Sequence, residues 1–185
     1  MLFDENTYDT LYAVAYVSSA SFFSKIATKF KEVHLILGSD KSDMSALPES
    51  IMHCLSPEFV DFYMDLDDGS KKMLANRNLT IRYVKPGKTI HSKFYILVNS
   101  ETKDKRLIIG SANLSANAFE ESSSQYEEVL VFDSDKKSNF DTDKRFLRTY
   151  KRRYRELEKQ TVEYISPDIQ KKLDERGSVV ADANF

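Results

Sequence analysis

The chain has 185 residues, 41% hydrophobic and 30% charged, enough for one domain with a substantial core. Its formal net charge of -2 gives no overall pull toward nucleic acid or membrane, so any such attraction must come from a local patch. The one cysteine, Cys54, excludes an internal disulfide and reads as a small buried apolar residue, and no run is long enough for a transmembrane helix; a cytoplasmic location is expected.

Taken in order, 10–18 (Thr-Leu-Tyr-Ala-Val-Ala-Tyr-Val-Ser) is a β-rich apolar run. From Ser19 to Lys31 the period changes, with Phe22, Phe23, Ile26, Ala27 and Phe30 on one helical face. A second strand is expected over 32–38, closed by Gly38 and Ser39. Strand, helix and strand within about thirty residues read as a parallel crossover unit. His34, inside the second strand, is assigned no chemistry.

Residues 45–55 and 57–76 read as mostly helical, with Pro48 and Pro57 suited to helix starts. Asp61, Asp65, Asp67 and Asp68 cluster there beside Gly69, but without the ligand alternation of a metal loop, so a solvated acidic face with a turn is expected. Strands follow over 79–84, stopped by Lys85-Pro86-Gly87, and over 94–98 and 107–109. The polar segment from Asn99 to Arg106 between the last two reads as a hairpin loop. Ser115 to Phe119 suits a short helix, 120–125 a serine-rich loop, and 126–132 another strand. A helix over 139–159 carries an apolar stripe of Phe146, Leu147, Tyr150, Tyr154 and Leu157. From Lys144 to Lys159 it holds eight basic residues against two acidic ones. That excess suits either a solvated face or a phosphate-backbone surface using Lys144, Arg148, Lys151, Arg152 and Arg155.

Polar residues stand at the ends of the two most apolar strands. His91 and Lys93 precede 94–98 and, by strand alternation, share a face; Ser111 and Asn113 follow 107–109 and share one too. Pairing those strands brings an imidazole, an ammonium, a hydroxyl and an amide into one patch.

His91-Ser92-Lys93 followed by Gly110-Ser111-Ala112-Asn113 resembles the signature of the phospholipase D superfamily. The superfamily pattern continues from Lys through four residues to an Asp, and here that position is Val98, with Asn99 beside it. The Asp-less, single-copy form looks more like the branch with restriction endonucleases and related prokaryotic nucleases than the lipid-hydrolysing one. The resemblance implies an α/β fold, a mixed β-sheet flanked by helices on both faces, in one domain over 1–160 with 161–185 as a C-terminal extension. It also implies an acidic residue just before the strand after Gly-Ser-x-Asn, here Glu127, with Glu128 the alternative.

A phosphodiester repels anionic nucleophiles, so its cleavage calls for a neutral nucleophile, cationic and hydrogen-bonding groups on the phosphoryl oxygens, and an acid for the leaving group. An imidazole can be that nucleophile without a metal or other cofactor. The roles implied by the resemblance are His91 as nucleophile, Lys93 and Asn113 on the non-bridging oxygens, Ser111 as a weaker donor, and Glu127 accepting from His91 or from its partner histidine. With the Asp missing, support beneath the site would fall to Glu127 or Asn99. One histidine cannot be nucleophile and leaving-group acid at once, and neither His34 nor His53 has a Lys two residues on. A homodimer with the signature strands at its interface is therefore expected. The expected activity is that of a metal-independent DNA nuclease of restriction, defence or repair type, without a membrane partner and with sequence recognition on further domains or subunits. The alternatives are a catalytically impaired nucleic-acid-binding or dimerisation module, and a phospholipid phosphodiesterase.

Overall fold

The computed structural model describes residues 2–16, 18–38, 62–85, 88–119, 127–134 and 141–163. The expectations for 45–55 (with Cys54, Pro48 and His53), for Pro57 and Asp61, for 120–126 and for the tail from 164 lie outside the described residues. In chain order the elements are β1 (Thr10–Ala15), α1 (Ala20–Ala27), β2 (Glu32–Leu37), α2 (Asp68–Ala75), β3 (Leu79–Val84), β4 (Phe94–Val98), β5 (Lys105–Gly110), α3 (Ala116–Phe119), β6 (Val129–Asp133), α4 (Asp141–Glu158) and β7 (Thr161–Glu163).

Among the described residues the strands form one seven-stranded sheet in the order β6-β5-β4-β1-β2-β3-β7. β1, β2 and β3 run parallel, as the crossover pattern predicts, and β4 is antiparallel to both β1 and β5. The sheet is therefore mixed. Alternation along the strands sends Leu11, Ala13, Ala15, Leu35 and Tyr95 to one face, where they pack with Phe22, Phe23 and Ile26 of α1 and Leu74 of α2. Val14, Ile36, Phe94, Ile96 and Leu107 point the other way, onto Leu147, Tyr154 and Leu157 of α4. Helices thus cover both faces, and each amphipathic stripe finds an apolar side of the sheet. Phe146, at the outer margin of the α4 stripe, is 40% exposed and stacks on Phe132, ring centroids 4.7 Å apart.

Among the described residues β1 stops at Ala15 and β6 starts at Val129, short of the expected 10–18 and 126–132, and four further differences each have a local reason. α1 ends at Ala27 because Thr28 turns its hydroxyl onto Ser24 O (2.9 Å) and the next amides, of Lys29 and Phe30, close tighter turns on Ile26 and Ala27. The helical reading of 57–76 breaks after residue 64: Asp67 starts a new helix by accepting from Ser70 N at 2.7 Å. Asp68 and Gly69 then lie in the first turn of α2, so the predicted Asp-Gly turn is helix. Lys105 and Arg106, assigned to the loop, extend β5; Arg106 reaches Asp133 on β6 through two bonds of 2.8 Å and lies over the Tyr8 ring. Thr161–Glu163, placed in the extension, are strand β7, antiparallel to β3 and tied to it through Arg82. Among the described residues no helix is long and apolar enough to cross a membrane.

Candidate active site

Because β4 runs against both neighbours, its start lies beside the ends of β1 and β5. His91 and Lys93 lead into β4, Tyr16 follows β1, and Ser111 and Asn113 follow β5, so three separated stretches of sequence converge at one end of the sheet. Two glycines make that convergence possible. A Cβ on Gly38 would lie 1.8 Å from Ile90 O, and Ile90 N bonds to Gly38 O at 3.0 Å, so the segment before His91 is docked directly on backbone at the end of β2. A Cβ on Gly110 would lie 2.0 Å from Glu128 O. Only glycine lets β6 come close enough for the Ser111 N–H to reach that same carbonyl at 3.1 Å.

The predicted His91–Lys93 neighbourhood forms. Lys93 Nζ lies 3.3 Å from His91 Nδ1 and 3.2 Å from His91 O. His91 is exposed and Lys93 half-buried. The Tyr16 ring lies against the imidazole, centroids 4.7 Å apart, and Lys93 Nζ sits 5.5 Å from the centre of the same ring. Tyr16 also meets Asn113: its N–H donates to Asn113 Oδ1 at 3.2 Å. That bond fixes which end of the amide is the acceptor and turns the Nδ2 donors away from the backbone of β1. The imidazole, the ammonium and the amide are thus all joined to Tyr16. The sequence hides Tyr16 as one more aromatic in an apolar run; only the antiparallel placement of β4 brings it to the site.

Ser111 and Glu127 form a second pair. The Ser111 hydroxyl donates to the Glu127 carboxylate in a short hydrogen bond and accepts from Glu128 N at 3.2 Å. Glu127 makes no hydrogen bond to His91 of its own chain, so the expected orientation of the imidazole by Glu127 is not formed within the chain; among the described residues Lys93 and Tyr16 touch it. Between the pairs, the buried Tyr95 hydroxyl donates to Ala112 O at 2.7 Å and pins the Gly-Ser-Ala-Asn segment to the core. Burial, with the nearby Glu127 charge adding to it, pushes the Tyr95 phenol far above its ordinary value, so it stays a donor.

Val98 is at the other end of β4, five residues from Lys93, about 16 Å along a strand. Asn99 is there too, accepting from Glu101 N and Thr102 N and donating to Thr7 O. The expectation that Asn99 supports the patch from beneath is therefore corrected: it organises the 99–104 turn. Of the basic residues on α4, Lys144, Arg148, Lys151, Arg152 and Arg155 are all exposed. Arg152 pairs with Glu156 at 3.8 Å, while Lys151 and Arg155 overhang a recess at the Val98 end of the sheet.

Residues 10–164 match the family model described as the NgoFVII restriction endonuclease N-terminal PLD domain. None of the curated proteins matches. Among solved structures, phosphatidylserine synthase of Haemophilus influenzae Rd KW20 aligns over 95% of this chain and 40% of its own, with 14% identity and a TM-score of 0.51. Yeast tyrosyl-DNA phosphodiesterase aligns over 71% of this chain and 26% of its own, with 10% identity and a TM-score of 0.43. The chain thus spans less than half the length of either. The family match and the first likeness agree with the superfamily to which the His-x-Lys and Gly-Ser-x-Asn motifs point.

Proposed function

The chain belongs to the family described as the NgoFVII restriction endonuclease N-terminal PLD domain, and from that premise we propose that it is a metal-independent phosphodiesterase that cleaves DNA as a homodimer through a phosphohistidine. The observation that carries this reading is the meeting of His91, Lys93 and Asn113 around Tyr16 at one end of the sheet. These are a nucleophile and two donors of the kind a phosphodiester needs.

In this mechanism an imidazole nitrogen of His91 attacks phosphorus. The bond to the leaving oxygen breaks, and that oxygen takes a proton from His91 of the second copy. Water then attacks the phosphohistidine, gives its proton back to the second imidazole, and releases the first. Lys93 and Asn113 hold the non-bridging oxygens as charge builds on them, with Ser111 a weaker donor. Glu127 shares its carboxylate with Ser111 and orients the second copy's imidazole across the interface. The signature strands lie at that interface. The exposed cations Lys144, Arg148 and Arg152 of α4 bind the DNA backbone without reading sequence, and Lys151 and Arg155 extend the same stripe. Sequence recognition then falls to a further segment or subunit.

Plasmid cleavage in EDTA, compared between the native chain and His91→Ala, tests the reading. Cleavage should survive chelation and fall by about 10⁴-fold or more in the variant. Loss of cleavage on chelation, or a chain that is monomeric by sedimentation while active, overturns it. DNA retention with no cleavage by the native chain would leave only a binding module.

A further inference from the structure

At the end of the sheet opposite His91, α4 and strands β4, β1 and β2 enclose a recess of about 380 Å³. Its floor follows the strand register: Ile96, Tyr12 and His34 stand side by side on three adjacent strands. The Tyr12 and His34 rings are stacked, centroids 4.7 Å apart and 16° from parallel. Tyr154 from α4 holds that pair in place, its ring edge-on to Tyr12 at 5.2 Å and its hydroxyl 3.4 Å from His34 O. The rings therefore form a fixed aromatic floor under an open roof.

The charges around the recess are sorted. On one side Lys151 and Arg155 of α4 stand near Lys105 of β5, and among the described residues none of the three has a carboxylate within ion-pair distance. Partial desolvation of the ammonium, and then the charges of Lys105 and Arg155, pull Lys151 below its ordinary value. The carboxylates of Glu32 and Glu158 also line the recess; Glu32 is held by His34 at 3.1 Å, and Glu158 makes no ion pair among the described residues. A bare anion would use the cations and leave the ring floor and the free carboxylate idle. A ligand with a phosphate, hydroxyl groups and a flat ring uses all three, and the volume is in the range of small-ligand sites.

We propose that this recess binds a nucleoside monophosphate unit, with its phosphate on Lys151 and Arg155, its base against the Tyr12–His34 pair and a sugar hydroxyl on Glu158. The unit is either a free nucleotide or the phosphorylated end of a strand. The site is separate from the His91 patch and stands whether or not that patch cleaves phosphodiesters.

The chain has three histidines, so a proton–carbon spectrum of their rings reads both ends of the sheet at once. The signal lost in His34→Gln identifies the floor, and the one lost in His91→Ala identifies the patch. Titration of the full chain with AMP should move the His34 signal saturably, at concentrations that leave the His91 signal in place. Lys151→Glu and Arg155→Glu, both at exposed positions, should each weaken that response by about tenfold or more. A response to AMP points to the free nucleotide. A response confined to a 5′-phosphorylated oligonucleotide points to the strand end. No movement of the His34 signal with either probe overturns the proposal. So does an equal response to inorganic phosphate alone, or a response unchanged in both variants.

Discussion

The two ends of β4 carry polar residues of similar kinds and use them in opposite ways. At the Val98 end they are consumed in closing turns. The Asp9 carboxylate accepts from the Ser100 amide at 3.1 Å, from the Ser100 hydroxyl and from Thr10, and Asn99 spends its amide on three main-chain groups. At the His91 end the atoms proposed for the chemistry are left beside one another, with His91 open to solvent. His91 touches a ring and an ammonium, and the work of positioning is done by glycines, by Tyr95 and by the Tyr16 main chain. A polar residue that closes a turn is saturated where it stands. One that is available for chemistry needs its frame held by something else.

Four substitutions test that contrast. Lys93→Ala removes an ammonium whose fold contacts are local, to His91 O and the Tyr16 ring, so cleavage should fall by about 10²–10³-fold with only a small drop in melting temperature. A parallel fall in stability would mean that Lys93 is structural. Gly110→Ala pushes a methyl group into the β6 backbone and should cost about 3 kcal/mol in denaturant unfolding; a neutral result would show that the β5–β6 approach is loose. Val98→Asp restores the superfamily residue in sequence but places a carboxylate beside the apolar α4 cluster. It should lower stability by about 1–2 kcal/mol and leave cleavage no faster; a gain in rate would tie the far end of β4 to the chemistry. The smallest effect is at Asp9, where hydrogen bonds from Ser100 hold the carboxyl below its ordinary range. A carboxyl lowered by folding stabilises above its unfolded value, and that share is lost as pH falls through the folded value. Asp9→Asn should therefore cost about 1 kcal/mol at neutral pH, flatten the acid limb of the melting curve and spare cleavage per folded molecule. An acid limb as steep as the native one would assign that loss to other carboxylates.

Much of this was legible in the residues. The change of period at Ser19 marked β1, α1 and β2, and the stripe from Phe146 to Leu157 marked α4 and the face it buries. His91, Lys93, Ser111 and Asn113 stood out because polar groups rarely edge such apolar strands. What stayed hidden depends on distance in sequence. Tyr16 belongs to the site only through the direction of β4. Three residues of β7 are too few to show alternation. The role given to Asn99 assumed that neighbours in a motif are neighbours at the site, and an extended strand carries them apart at about 3.3 Å per residue. The Asp67 cap was obscured by the acidic residues around it.

The place of β1, β4 and β5 within the sheet has a consequence for amide hydrogen exchange. All three are paired on both sides, while β6 and β7 form the margins. Deuterium should enter the margins by fraying, but Leu11, Ala13, Tyr95 and Ile108 should exchange only when the whole chain opens. His91, Lys93, Ser111 and Asn113 hang from the ends of β4 and β5 beside β1, so that part of the patch should keep its shape until global unfolding and fail together with the protein, whereas Glu127 leads into the marginal β6 and should loosen earlier.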